Sequence, residues 1–414
     1  MRRCLLLTAF CALAACGGGD DGGSDSDIKP SVDVFDENVV NDFELTMDPG
    51  DWNQIVNNPG SANNSTYYRA TLAWRGESWP DVGVRASGQN SRIPGNPKPS
   101  VVLGFEEFVA GRHFHGLPSV KLNWLLDDPA FMRQRLLFGI ARERGLVAPR
   151  EAHGRLTVNG QYKGLYGVTE RITRSFAKKR FGEPVNQVYK KASTGNDFIW
   201  KGSDPAAYVG EGGGAEFEPK VETVPSGAAE VRDLYQTLNS GSYDAISAVF
   251  DVDVFLNFLA IEIICGEDDG YRSGPDPSTG TVWSSNYYMY KPPGTGKYQL
   301  LFWDRGETYW RPPTELFTHT FDRRVLTRRL IVEQPSNLGR LKQILREILA
   351  GPSELNHMVS RLEHIRGLIA PYVGQEPPNP KRSPPSVQTW GFEVNDLRDT
   401  YIRERIQNLQ VQLQ

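Results

Sequence analysis

Between Gly266 and Glu307 the chain carries, in order, Gly266-Glu267-Asp268-Asp269-Gly270, then Asn286-Tyr287-Tyr288-Met289-Tyr290, a turn, and Leu300-Leu301-Phe302-Trp303-Asp304. Carboxylate and carboxamide oxygens are hard donors that suit magnesium while it also binds phosphate. A further carboxylate close by can orient a hydroxyl for in-line attack. An acid, a later amide, two short strands forming a hairpin and a second acid are thus the parts of a phosphoryl-transfer site. Asp268 and Asp269 cannot both face one site from extended backbone, and Asp269 is the one assigned to it. Without the later amide and acid, the same pair would read as a helix end or a calcium-binding turn.

These residues need a frame. Residues 32–110 alternate apolar and polar around Phe43–Met47, Tyr67–Trp74 and Val82–Arg85, with turns at 58–60 and 94–97, so they are expected to be β-rich. A helix is expected next, capped by Asp127 or Asp128, with Pro129 in its first turn and Gly145 at its end. Its apolar face is Met132, Leu136, Leu137, Ile140 and Ala141, which would clamp it on a sheet. Asn159-Gly160 between Leu156–Val158 and Tyr162–Tyr166 predicts a hairpin. Gly195–Gly214 reads as a surface excursion, with helices over Ala228–Leu238, Tyr243–Phe250 and Val252–Cys265. Beyond Asp304 helices are expected over Ser336–Leu349, Ser353–Tyr372 and from Asn395, the last with a stripe of Leu397, Tyr401, Leu409 and Leu413. The expected class is α+β: a bilobal, kinase-like plan with a β-rich N-lobe (31–175) and a mainly helical C-lobe (176–414) that carries the candidate site.

The N-terminus reads as an address. Arg2 and Arg3 precede an apolar run from Leu5 to Ala15, too short for a stable membrane span, which ends in Leu13-Ala14-Ala15-Cys16. This looks like a bacterial lipobox: residues 1–15 as signal peptide, Cys16 as the lipidated residue, 16–30 as a solvated tether. The expected location is that of an exported lipoprotein, anchored in the outer membrane or at the cell surface. After cleavage only Cys16 and Cys265 remain, which excludes an internal disulfide and a cysteine zinc site. A formal net charge of −4 gives no global basic field, so nucleic acid is not an expected partner.

Across residues 80–310 a series of segments resembles the CotH-type proteins, named from a spore coat protein and regarded as atypical secreted kinases. The segments are Val82–Gly88, Asp128–Arg133, Gly145–Arg150, Val158–Tyr166, Thr169-Glu170, Asp269-Gly270, Asn286–Tyr290 and Trp303-Asp304. The resemblance implies ATP and magnesium (or manganese) as cofactors and a protein of the envelope or surface as substrate. Asp269 then orients or deprotonates the acceptor hydroxyl, and Asn286 and Asp304 hold the metal. Lys98, after the Gly88–Gly95 loop, contacts the phosphates; Arg133 orders that loop or contacts phosphate; Glu170 lies at the adenine-side connection. The chain departs from the family at Gly306, where a second acid is usual, and at Glu267, where His is common. Those departures favour the alternative of a catalytically inactive pseudokinase or surface-binding lipoprotein. A carbohydrate-active reading would take Asp269, Asp304 and Glu307 as carboxylates, with Trp303, Tyr309 and Trp310 as exposed sugar platforms.

Two decoys are set aside. Pro292–Lys297 resembles part of a P-loop, but Lys291 and Tyr298 occupy the places where that motif needs Gly and Ser or Thr. The six histidines show no metal-binding spacing, and no Gly-x-Ser-x-Gly elbow is present.

Overall fold

The computed structural model describes residues 33–58, 66–88, 92–192, 197–210, 215–221, 227–273, 284–310, 323–378 and 386–414. Cys16, the leader and tether, and part of the Gly88–Gly95 loop lie outside the described residues.

The N-terminal part is a closed barrel in the order β1-β2-β3-β4-β5-β7-β6. Its strands are β1 (Val40–Met47), β2 (Tyr68–Trp74), β3 (Glu77–Ala86), β4 (Val101–Gly104), β5 (Ser119–Asn123), β6 (Glu151–Val158) and β7 (Gln161–Glu170). Neighbours are antiparallel except at the seam, where β1 runs parallel to β6. Strand alternation sends Phe43, Leu45, Leu72, Trp74, Val84, Leu103, Leu122 and Val168 into one core. The β6–β7 turn holds Asn159 and Gly160 at φ of 50° and 76°, the left-handed pair a two-residue hairpin needs.

Two local expectations change here. Residues 32–110 also contain helix α1 (Pro49–Asn57), started by the Asp48 carboxylate, which accepts from Gly50 N at 2.7 Å. Helix α2 runs Arg133–Glu143 rather than from Pro129, because Phe131 takes a left-handed φ of 62° just before it. Asp128 still serves the helix start across that turn, accepting from Arg133 N at 2.7 Å.

After β7 the chain passes through α3 (Arg174–Phe181) into a second sheet, ordered β11-β10-β8-β9, with β8 (Tyr189–Lys191), β9 (Phe217–Pro219), β10 (Tyr287–Tyr290) and β11 (Gln299–Phe302). The stretch expected as a surface excursion is exposed or half-buried over residues 199–207 but pinned at both sides: Phe198 and Tyr208 are fully buried, and Tyr208 meets Tyr235 edge-on at 4.6 Å. Aromatic burial outweighs the glycines around it.

The rest is helical: α4 (Ala228–Ser240), α5 (Tyr243–Val249), α6 (Val252–Cys265), the short α7 (Val325–Thr327) running into a π turn, α8 (Pro335–Leu349) and α9 (Leu355–Val373). The final helix begins at Val387, not Asn395, as α10 (Val387–Asp396), a π-helical stretch (Leu397–Glu404) and α11 (Arg405–Gln412). The π turn widens the spacing, so the buried stripe is Leu397, Ile402, Ile406, Leu409 and Leu413, while Tyr401 is only half-buried. The molecule is therefore α+β, with a β-rich N-terminal part and a helical C-terminal part. No helix among the described residues is long and apolar enough to cross a membrane.

Candidate active site

α6 is apolar on almost every side and buried from Phe258 to Cys265, so it forms the axis of the helical part. Phe258 stacks on Phe302 at 4.1 Å, which sets the β10–β11 hairpin against it. Gly266, at φ 56°, ends the helix in the left-handed turn that glycine makes without strain. The acidic loop then doubles back onto α6. The Glu262 carboxylate accepts from Tyr271 N and Arg272 N, and Arg305 lies 2.8 Å from Glu262 and 3.5 Å from Glu267, all three side chains fully buried. Arg305 immediately follows Asp304, so one guanidinium holds both acidic segments in register. Desolvation pushes the Glu267 carboxyl up to about 8, with Arg305 opposing and Glu262 adding to the rise.

On this base the structure brings Asp269, Asn286 and Asp304 together. Asn286 Nδ2 donates to the Asp269 carbonyl at 2.9 Å and to its Oδ2 at 2.6 Å, and Ser285 Oγ donates to Oδ1 at 2.6 Å. Asn286 also pairs through its carbonyl with Trp303 N, at the foot of Asp304. Burial raises the Asp269 pKa; the Ser285 bond lowers it and the Asp304 charge raises it further. Asn286 and Asp304 both sit at left-handed φ, 54° and 52°, a conformation that Asn and Asp adopt more readily than other non-glycine residues. The amide nitrogen of Asn286 is committed to Asp269, which turns Oδ1 into the atom that could ligate a metal, and the Asp304 side chain is 42 % exposed. A carboxamide oxygen and an open carboxylate fit magnesium, which keeps water and phosphate oxygens in its remaining positions. Among the described residues no group of three or more His, Cys, Asp or Glu side chains could hold a metal.

The other assigned residues lie elsewhere. Lys98 is buried and ion-paired with Glu376, its ammonium 5.2 Å from the Phe131 and Tyr166 ring centroids, so it stitches the barrel to the chain after α9 rather than facing the acids. Arg133 is 1 % exposed and donates to the Thr308 and Tyr309 carbonyls at 2.9 and 2.6 Å. It therefore orders the segment after Asp304, and its burial removes it from phosphate. Glu170 does lie where the chain leaves the barrel, with its carboxylate taken by Arg150 and Arg180 at 3.1 and 2.6 Å. Of the proposed sugar platforms, Trp303 and Tyr309 are buried and Trp310 alone is exposed.

Lys121 on β5 faces the site, with Nζ 3.6 Å from Asp304 Oδ1 and 5.3 Å from the Trp303 ring centroid. Lys190 on β8 feels the charges of both Asp304 and Lys121. Sequence reading missed Lys121 and Ser285. The signal for Lys121 was a lysine between the fully buried Val120 and Leu122, where alternation turns it to the opposite face.

Comparison with known proteins follows the same outline. The family model described as CotH kinase protein matches residues 84–409. Invasin CotH3 of Rhizopus delemar is 25% identical over 280 residues, which cover 61% of this chain and 43% of that protein. Inner spore coat protein H of Bacillus subtilis is 21% identical over 276 residues, covering 65% of this chain and 73% of that one. The chain thus spans less than half the length of the Rhizopus invasin. Among solved structures, the Helicobacter pylori proinflammatory kinase CtkA is similar at 9% identity and a TM-score of 0.30, over 76% of this chain and 95% of that one, a likeness too weak to argue from.

Proposed function

We propose that this chain, which belongs to the CotH kinase protein family, transfers the γ-phosphate of ATP to a Ser or Thr hydroxyl of an envelope or surface protein. The observation that carries this reading is the meeting of Asp269, Asn286 and Asp304 at one point, with Lys121 3.6 Å from Asp304. Asn286 Oδ1 and the Asp304 carboxylate would hold magnesium, which would offset the charge of the phosphates. Lys121 approaches from the barrel side and supplies the cation for the phosphates. Asp269, fixed by Ser285 and Asn286, points a carboxylate oxygen at the acceptor hydroxyl and takes its proton. The new O–P bond forms as the bond to the β–γ bridging oxygen breaks, and ADP leaves. The lipobox-like Leu13–Cys16 supports an exported, lipid-anchored address for this activity.

A pseudokinase is the second reading, favoured by Gly306 at the place of a further acid. The test is magnesium-dependent ATP binding and phosphate transfer to casein-type acceptors by a protein beginning near Ile28, beside Asp304→Ala. Both activities should be present in the wild type and lost in a variant that melts normally. Binding without transfer establishes the pseudokinase; neither activity in the wild type sinks the site assignment.

A further inference from the structure

Lys121, Thr169 and Glu151 form one row across three adjacent barrel strands, since Thr169 is the register partner of both. Partners in a row point to the same face. From that face Lys121 reaches Asp304 at 3.6 Å, while Thr169 Oγ1 donates to Glu151 Oε2 at 2.7 Å. Gln134, in the first turn of α2 and 1 % exposed, closes over the row. Its Nε2 donates to Glu151 Oε2, and its Oε1 accepts from the backbone N–H of Arg305 at 2.6 Å. A carboxylate on one side and an N–H on the other admit only this orientation of the amide. Arg305 N is one peptide bond from Asp304, which sits at a left-handed φ of 52°.

We propose that Gln134 is a positioning residue for Asp304, a strut from the barrel row to the metal-binding turn, and that Glu151 is the anchor holding the strut. This rests on the reading of Asp304 as a metal ligand. Glu151 is otherwise hard to account for. It is a carboxylate 1 % exposed that, among the described residues, receives hydrogen bonds from neutral side chains and forms no ion pair. Burial accordingly pushes it up to about 7, against the Thr169 and Gln134 bonds and the Arg135 charge. Such a group is costly to bury, and here it is the acceptor that fixes both Thr169 and the amide of Gln134. The same row thus sets both the cation beside Asp304 and the backbone behind it.

The test uses the full chain in three forms: wild type, Gln134→Met, and the reciprocal exchange Gln134→Glu with Glu151→Gln. The methionine keeps the volume and loses both bonds. The exchange keeps the acceptor for Arg305 N and the bond between the two side chains with donor and acceptor swapped, while the Thr169 hydroxyl turns from donor to acceptor at the new amide. Hydrogen exchange at the Arg305 amide, read without ATP or metal, should quicken at least tenfold in Gln134→Met and stay within about threefold of wild type in the exchange pair. Magnesium affinity in the presence of ATP should fall about tenfold or more in the first and be retained in the second. The strut is refuted if Arg305 protection is unchanged in Gln134→Met, or if the exchange pair folds yet behaves like it. A wild type that binds no magnesium–ATP while Arg305 protection follows the pattern sinks the metal-site reading and leaves the strut standing.

Discussion

Lys121 and Lys98 are both lysines in the barrel, and their surroundings give them opposite tasks. Lys121 faces a partly exposed carboxylate at the edge of the site, where a third charge can still enter. Replacing it by alanine should cut phosphate transfer about a hundredfold, the scale for losing one charge-stabilising group, while leaving the melting temperature within a few degrees. Equal rates in Lys121→Ala and wild type would remove it from the site. Asp269 permits a finer test. Its pKa is raised, so the acid limb of the rate profile should lie above that of an ordinary aspartate, with activity growing as the carboxylate ionises. The Ser285 hydroxyl donates to the charged form and holds the value down. Ser285→Ala should move the limb to higher pH, and a limb that stays put or moves down would show that Asp269 is not the group being read.

The acidic loop, α6 and the β10–β11 hairpin act as one element because Arg305 joins them. Two carboxylates face this single guanidinium, and desolvation raises the Glu267 pKa to about 8 against 4.5 for an ordinary glutamate. A folded value above the unfolded one means that folding binds a proton between those limits. The stability this group contributes is complete below pH 4.5 and lost as pH rises through 8. In Glu267→Gln that loss has no counterpart, so thermal melting between pH 6 and 9 should fall more steeply for the wild type than for the variant. Parallel curves would mean that Glu267 is ionised throughout. How much of this element was readable depends on the range of each signal. The apolar run Val252–Cys265, the glycine that ends it and the hairpin closing on Asp304 are local, and sequence carries them. The roles of Lys121, Ser285 and Gln134 depend on how distant elements come together, and Lys121 meets Asp304 from a barrel strand far away in sequence. The partners of Lys98 and Arg133, namely Glu376 and the Thr308–Tyr309 carbonyls, are distant in sequence and so equally beyond local patterning.

At the scale of the molecule, the C-terminal chain fastens the parts that carry the site. Trp390 donates to the Ala130 carbonyl ahead of α2 at 3.1 Å, and the buried Arg405 donates to the Ile263 carbonyl at the end of α6 at 3.0 and 2.8 Å. Glu376 reaches the barrel, where it pairs with Lys98 and accepts from Leu165 N beside Gly164. A Cβ at Gly164 would lie 2.9 Å from Lys98 and 3.0 Å from Glu376, and its φ is 121°, so only glycine allows this approach. Both charges of the pair are almost wholly buried, at 6 % and 3 % side-chain exposure. Removing one partner of such a pair leaves the other charge stranded, so Lys98→Ala should cost about 3–5 kcal/mol. Replacing the pair with neutral side chains that keep the Leu165 bond, Lys98→Met with Glu376→Gln, should recover most of that loss and retain phosphate transfer. The two roles for Lys98 thus predict different outcomes. A fastening lysine lowers the unfolding midpoint and is compensated at Glu376; a phosphate-binding lysine weakens ATP affinity at unchanged stability and is not compensated there. Urea unfolding and ATP titration of both variants decide between them, and the buried pair with Glu376 favours the first.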